Sequence, residues 1–161
     1  MEVSATKIRF AGTDDARLAA LAPAHWRRKA AGKRFQKDRD QEFAAGGLLA
    51  DMLAGLGVTA DGELAIAVDP GGKPRLRDFP KIHFSISHTD GLVMCAVADH
   101  PVGCDVERIV PLDEDLRKAI GSLEAWTKRE ACFKCGTSAG AARTVSAPTG
   151  YCAAISEGGV R

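Results

Sequence analysis

The chain has 161 residues, of which 45% are apolar and 27% charged, and its formal net charge is +1. This length suits one globular unit, and the near-neutral charge excludes a global electrostatic attraction to nucleic acid or membranes. The amino-terminal residues lack the apolar core of a signal peptide, and no run approaches the roughly 20 apolar residues that span a bilayer. We therefore expect a cytoplasmic protein.

The first forty residues predict a strand ending near Phe10 and a helix beginning after Asp15, with Pro23 interrupting the helical pattern. A basic cluster then occupies thirteen positions: Arg27, Arg28, Lys29, Lys33, Arg34, Lys37 and Arg39. The cluster is compatible with a solvated helix face and with an anion-binding site. We expect Trp26 and Phe35 to anchor this segment to the core.

Residues 40–56 carry apolar side chains at helical spacing, with glycines that allow close packing and can end the helix. Residues 64–68 predict a short strand, followed by a turn at residues 69–72. The segment around Lys73 is not a phosphate-binding P-loop, because Pro74 stands where that motif needs serine or threonine.

Residues 83–87 and 92–99 predict two strands joined by a turn that contains Gly91, which together form a hairpin. A third strand is expected at residues 102–109. Asp105 and Glu107 lie two positions apart in it, so their carboxylates share one face at roughly 7 Å, a spacing suited to one hard cation.

Residues 112–134 are mainly helical in pattern, with a break near Gly121. Trp126, Glu130 and Lys134 recur at helical spacing and share one face. We expect Gly136 to end the helix, residues 137–148 to form a loop, and residues 151–155 to form a last strand.

The five cysteines are odd in number and lie mostly in apolar segments, which predicts reduced, partly buried thiols. Cys132 and Cys135 form a Cys-x-x-Cys pair without a second pair or a His-x-x-x-His, so we interpret them as structural.

Four motifs in order resemble the surfactin-synthetase-type 4'-phosphopantetheinyl transferases, and they extend from about Gly71 to Gly136. They are Gly72-Lys73-Pro74, Phe84-Ser85-Ile86-Ser87-His88-Thr89, Gly103-Cys104-Asp105-Val106-Glu107 and Trp126-Thr127-x-x-Glu130-Ala131-x-x-Lys134. The resemblance implies an α+β fold of two similar halves related by a pseudo-two-fold axis, with the active site at their interface. We expect these halves at residues 1–98, on the nucleotide side, and 99–161, on the magnesium side.

The resemblance also implies an activity, the transfer of the 4'-phosphopantetheine arm of coenzyme A to a serine of an apo acyl or peptidyl carrier protein. It assigns Asp105, Glu107 and Glu130 as ligands of Mg²⁺. Glu130 would also accept the serine proton, and Lys134 would hold the negative charge of the phosphate. For coenzyme A, it assigns the 3'-phosphate to Ser87 and His88, the adenine side to Lys73 and Pro74, and a further phosphate contact to Arg28.

The chain departs from the family pattern at three places. Gln41 and Glu42 stand where an arginine often precedes the following helix, 18 residues separate Glu107 from Trp126 where many members have more, and the tail after Gly136 is short. Basic residues that could meet an acidic carrier helix are Arg117, Lys118, Lys128 and Arg129.

Two other functions are alternatives to this one. One is a non-catalytic relative that binds coenzyme A or a carrier protein. The other is the small trimeric holo-acyl-carrier-protein synthase, whose chain typically holds one half and lacks the Lys-Pro and Ser-His motifs. A monomer is expected if the larger transferase type is correct.

Overall fold

The computed structural model of the chain describes residues 3, 5–58, 63–138 and 141–158. Within these ranges it has five helices and eight strands, and this mixture agrees with the expected α+β class. In chain order the elements are β1 (Lys7–Gly12), α1 (Ala16–Leu21), α2 (Ala24–Ala31), α3 (Gln36–Gly55), β2 (Ile66–Val68), β3 (Pro74–Leu76), β4 (His83–Thr89), β5 (Leu92–Ala98), β6 (Val102–Arg108), α4 (Glu114–Ile120), α5 (Leu123–Cys135), β7 (Ala142–Val145) and β8 (Tyr151–Glu157).

The described strands form two three-stranded sheets and one two-stranded ribbon. The first sheet has the order β1-β5-β4 and the second has the order β6-β8-β7, while β2 pairs with β3. Every pairing is antiparallel. Both larger sheets therefore have the same strand order. In each, the chain forms one edge strand, then helices, and then a hairpin, and the second strand of the hairpin is the central strand of the sheet.

The two larger sheets pack face to face, and a helix covers the outer face of each. On β5, Val93, Cys95 and Val97 pack in one cluster with the apolar side chains of α3. Met94 and Ala96, which point the opposite way, pack in a second cluster with β6 and β8. Because β5 is buried on both faces, its sequence is apolar without alternation.

Two glycines permit close backbone approaches in this arrangement. A Cβ atom at Gly47 on α3 would lie 1.8 Å from the backbone oxygen of Leu18, so α1 could not keep its position against a larger residue. A Cβ at Gly103 would lie 2.1 Å from the backbone oxygen of Ala131, so Gly103 allows α5 to lie directly on β6. Contacts this short are not tolerated in packed interiors.

Several expectations from sequence are confirmed. The hairpin is β4 and β5, joined by a turn in which Gly91 has φ +83. The carboxy-terminal helical region is divided at Gly121, and α5 ends at Gly136, whose φ is +78. All five cysteines are free thiols.

Other expectations are wrong or incomplete. Trp26 is 2% exposed and anchors α2, but Phe35 is 57% exposed and its ring lies under the Arg34 guanidinium instead of in the core. The turn after β2 leads directly into β3, which the sequence did not indicate. The expected loop at 137–148 contains β7, and its Ala139 and Gly140 lie outside the described residues.

Candidate active site

The site is built where β4 of the first sheet meets β6 of the second. Alternate β4 hydroxyls accept hydrogen bonds from alternate backbone N–H groups of β6, at 3.0, 3.2 and 3.3 Å. The pairs are Ser85 with Cys104, Ser87 with Val106, and Thr89 with Arg108. Since β6 pairs through its other edge with β8, these hydroxyls bond to amides that have no strand neighbour on this side. We call this set of three hydrogen bonds the hydroxyl ladder.

Asp105 is placed in the interior by the hydroxyl ladder, and the residue is 4% exposed. Its Oδ1 accepts a hydrogen bond of 2.9 Å from the Ser87 hydroxyl and one of 3.0 Å from the Lys134 ammonium. Its Oδ2 is buried, and no described residue donates a hydrogen bond to it. A buried carboxylate oxygen without a donor is costly, so Oδ2 is a candidate ligand for a cation.

Glu107 lies beside Asp105 on the face of β6 that meets α5. The Trp126 indole N–H donates a hydrogen bond of 3.3 Å to its Oε1. Burial and then the negative charge of Asp105 raise the pKa of Glu107. Both causes disfavour its ionised form, and both would be relieved by a cation between the two carboxylates.

Glu130 lies on α5 and is half-buried. Among the residues that the structure describes, no three histidine, cysteine, aspartate or glutamate side chains are grouped closely enough to hold a metal. Two of the three predicted magnesium ligands are therefore brought together, and the third is not.

Two lysines connect the Gly72-Lys73-Pro74 motif to the carboxylate pair of Asp105 and Glu107. The Lys73 ammonium donates hydrogen bonds to the backbone oxygens of Val102, at 2.9 Å, and Lys134, at 2.8 Å. The Lys134 ammonium donates to the backbone oxygen of Cys104, at 3.1 Å, as well as to Asp105. Burial lowers the pKa of Lys73. Lys73 thus joins the β2–β3 turn to the start of β6 and to the end of α5.

A cleft of about 580 Å³ opens on the side of β4 that faces α3. Four predicted site residues line it, namely Lys73, Pro74, His88 and Lys134. Apolar side chains form much of the remaining wall: Trp26, Phe84, Ile86 and Phe133. This volume and mixed lining are typical of a site for a small organic ligand.

Two predicted binding residues lie outside the cleft lining. Ser87 points to the opposite face of β4 from His88, and its hydroxyl is held by the hydroxyl ladder and Asp105. Arg28 is exposed on α2 and does not line the cleft, whereas the next residue, Lys29, does. Lys29 could have been recognised because it follows the buried Trp26 by three residues, which places it beside the buried face of the helix.

Lys29 meets a second residue that sequence reasoning did not place in the site, Glu42 of α3. The Lys29 ammonium lies 3.2 Å from Glu42 Oε2, and the Lys33 ammonium lies 3.6 Å from Oε1. His88 lies within electrostatic range of this group. Partial burial in the cleft wall, assisted by Lys29 and opposed by Glu42, lowers the pKa of His88.

The basic residues considered for carrier docking gather around a second hollow, between α4 and α5. Lys118, Lys128 and Arg129 line it. Lys118 pairs with Glu114 at 2.8 Å, and Lys128 pairs with Glu124 at 3.0 Å, each one helical turn away. The fourth residue, Arg117, belongs to α4 but does not line the hollow.

No described helix is long and apolar enough to cross a membrane. No family model matches the chain.

Several curated proteins are similar to parts of the chain. A 4'-phosphopantetheinyl transferase of Bacillus subtilis is 27% identical over 122 residues, which cover 75% of this chain and 54% of the relative. The 4'-phosphopantetheinyl transferase psf-1 of Bacillus pumilus is 34% identical over 64 residues, which cover 40% of this chain and 28% of the relative. The 4'-phosphopantetheinyl transferase gsp of Aneurinibacillus migulanus is 57% identical over 42 residues, which cover 26% of this chain and 17% of the relative.

The chain matches at most about half the length of these relatives, since the largest matched share is 54%. All of them carry the same functional name. The resemblance drawn from the four motifs is therefore confirmed, and the chain is similar to 4'-phosphopantetheinyl transferases.

Proposed function

We propose that this protein transfers the 4'-phosphopantetheine arm of coenzyme A to a serine of an apo acyl or peptidyl carrier protein and releases adenosine 3',5'-bisphosphate. The observation that carries the proposal is the direct connection between the ligand cleft and the carboxylate pair. Lys134 lines the cleft and also donates to Asp105, so one side chain joins the two parts of the site. The similarity to curated transferases supports the same reaction.

At phosphorus, the proposed reaction forms one bond and breaks one bond, while the serine proton moves to a carboxylate. The serine oxygen bonds to the pyrophosphate phosphorus that carries pantetheine, and the bond from that phosphorus to the bridging oxygen breaks. The electron pair of the broken bond leaves with adenosine 3',5'-bisphosphate. Glu130 accepts the serine proton, and Lys134 balances the charge on the phosphate oxygens.

Asp105 and Glu107 are the residues that would hold Mg²⁺, with Glu130 as a third ligand implied by the family resemblance. The fit rests on the buried Asp105 Oδ2, to which no described residue donates, and on the raised pKa of the adjacent Glu107. Magnesium prefers a few carboxylate oxygens together with water. When bound, it would neutralise pyrophosphate oxygens and orient the leaving group.

Coenzyme A would occupy the cleft beside Lys73, Pro74 and His88. Two predicted binding residues do not line the cleft. Ser87 would contribute by holding Asp105, and Arg28 would contribute long-range positive charge. We propose that the two sheet-and-helix units are the two pseudo-symmetric halves, divided near residue 98, because their strand orders are the same. We further propose a cytoplasmic monomer with a carrier protein as its partner.

A direct test incubates the chain with apo carrier proteins from fatty-acid, polyketide and peptide synthesis, together with coenzyme A and Mg²⁺. Mass spectrometry should detect one added phosphopantetheine on a carrier serine. The variant Asp105→Ala should keep the circular-dichroism spectrum of the wild type and lose the transfer. Absence of product on every carrier would refute the transferase proposal.

A non-catalytic role in binding coenzyme A is the second candidate, and the position of Glu130 favours it. In the described residues Glu130 is not grouped with the two carboxylates, and Asp105 pairs with Lys134 instead. Calorimetric binding of coenzyme A without transfer to any carrier would select this role over catalysis.

A further inference from the structure

Phe133 on α5 places an exposed aromatic ring in the wall of the cleft. Its exposed fraction is 83%, the largest among the exposed apolar side chains that the structure describes, while its neighbours Ala131 and Cys132 are buried. Single exposed apolar residues are common on protein surfaces. Phe133 differs from these because it lines a cleft of ligand size, so a bound ligand would cover apolar area that folding leaves in water.

The other aromatic rings of the cleft cannot offer a face to a ligand. Three described lining residues have phenyl or indole rings, and two of them, Trp26 and Phe84, are each only 2% exposed. Stacking needs an accessible ring face, because the partner ring lies parallel and offset over it. Among these three residues, Phe133 alone meets that requirement.

Open space lies beside Phe133 on the side of the β2–β3 turn. Gly71 and Gly72 of this turn also line the cleft, and a Cβ atom at either would meet nothing within 4 Å. The Lys73 ammonium bonds to the backbone oxygen of Lys134 at 2.8 Å, which holds the turn close to the end of α5. The ring of Phe133 and the glycine turn therefore border the same end of the cleft.

The charge of the cleft favours a ring that carries anionic groups. Three lysines and two acidic residues line it, so the lining is net positive: Lys29, Lys73 and Lys134, with Glu42 and Asp69. A ligand that combines a flat aromatic ring with negative charge matches both the exposed ring and this charge. Nucleotides are such ligands.

We propose that Phe133 is a stacking platform for the adenine ring of coenzyme A and thereby positions this donor in the cleft. The inference rests on the proposed function and adds a binding residue to it. Adenine is the aromatic ring system of coenzyme A, so it is the part of the donor that can stack. The bonds that form and break in the reaction are unchanged.

Titration calorimetry of coenzyme A on the full chain, without carrier protein, tests the stacking. Phe133→Ala should weaken binding about tenfold, as expected for loss of one base–aromatic stack. Phe133→Leu keeps much of the apolar area but has no flat face, so it should also bind more weakly than the wild type. Phe35→Ala is the matched control, since Phe35 is an exposed phenylalanine that does not line the cleft, and its affinity should equal that of the wild type.

Phe133→Trp gives a spectroscopic readout that a structural role would not produce. The indole should keep the affinity for coenzyme A, and its fluorescence, taken as the difference from wild type, should be quenched when the adenine ring stacks on it. Adenosine 3',5'-bisphosphate, which carries the base, should quench it as well. Pantetheine, which has no aromatic ring, should not.

Two outcomes would overturn this inference and leave the proposed function in place. One is a Phe133→Ala protein that binds coenzyme A within about twofold of the wild type; if its transfer to the carrier is weaker, Phe133 contacts the carrier protein instead. The other is a Phe133→Trp protein that binds coenzyme A without any change in fluorescence. Failure of the wild type to bind coenzyme A would overturn the proposed function together with the inference.

Discussion

Replacing Lys73 by methionine should destabilise the protein, because the Lys73 ammonium connects three parts of the chain. It bonds to the backbone oxygen of Val102 at the start of β6 and to that of Lys134 near the end of α5. The last carbonyls of a helix have no partner within the helix, and a cation at that end is favourable. Methionine keeps most of the side-chain volume and removes both hydrogen bonds.

The size of the effect follows from the two carbonyls that lose their donor. Leaving a buried acceptor unpaired costs about 1–3 kcal/mol for each group. Part of this loss in free energy is offset, because the variant no longer buries a charged group. Burial lowers the pKa of Lys73 and so disfavours its charged form. We expect a net loss of about 2–4 kcal/mol in the free energy of unfolding.

Urea denaturation followed by circular dichroism measures this loss. Lys81→Met is the control, because Lys81 is also a lysine beside the first sheet but is exposed; it should change the free energy of unfolding by less than about 0.5 kcal/mol. If Lys73→Met is as stable as the control, the reasoning is refuted, and the Lys73 ammonium is free to contact a ligand instead.

Three further predictions concern packing, the hydroxyl ladder and a titrating cluster. Gly47→Ala should lower the free energy of unfolding by about 1–3 kcal/mol in urea denaturation, because the new Cβ would lie 1.8 Å from a backbone oxygen of α1. Gly55→Ala on the same helix is the control. Its Cβ would have nothing within 4 Å, so it should be neutral or stabilising. Ser87→Ala should lower the free energy of unfolding by about 1–3 kcal/mol, because the Val106 N–H loses its acceptor in the interior. Thr89→Val should cost less, because its amide partner belongs to the exposed Arg108. Equal losses would contradict the role given to the hydroxyl ladder. Hydrogen bonds to Asp99 and Glu157 raise the pKa of His100 above 6.5. The charged imidazole therefore stabilises the fold fully below pH 6.5, and this contribution is lost as the pH rises through the raised pKa. His100→Gln should show a smaller fall in the free energy of unfolding between about pH 6 and about pH 8 than the wild type does.

Local sequence patterns predicted much of the fold. The apolar run of β5 and the glycine after Asp90 gave the hairpin, since turn chemistry and strand periodicity act over a few residues. The helical spacing of Trp126 and Lys134 gave α5, and Gly136 gave its end, where φ is positive. These features depend on neighbours in the chain, so they can be recognised without knowing the tertiary structure.

The parts that could not be predicted depend on which distant elements meet. Alternation placed Ser85 and Ser87 on one face of β4, but nothing in the sequence indicated that β6 would lie against that face. Phe35 was expected in the core from its apolar character, yet it follows the end of α2 and faces solvent. Glu42 looked like a departure from a family pattern, and its burial between two lysines follows from the packing of α3 against α2.

The edge of β6 explains why binding and stability are coupled in this protein. An unpaired strand edge normally invites association with another strand, and here side chains satisfy it. Its N–H groups donate to the hydroxyl ladder, and its carbonyls at Val102 and Cys104 accept from Lys73 and Lys134. The strand that carries Asp105 is therefore held by the same residues that the family resemblance assigns to ligand binding. A variant at Lys73 or Lys134 that loses activity must be compared with wild type for stability first, because Lys73 joins the β2–β3 turn to β6 and α5, and Lys134 joins α5 to β6.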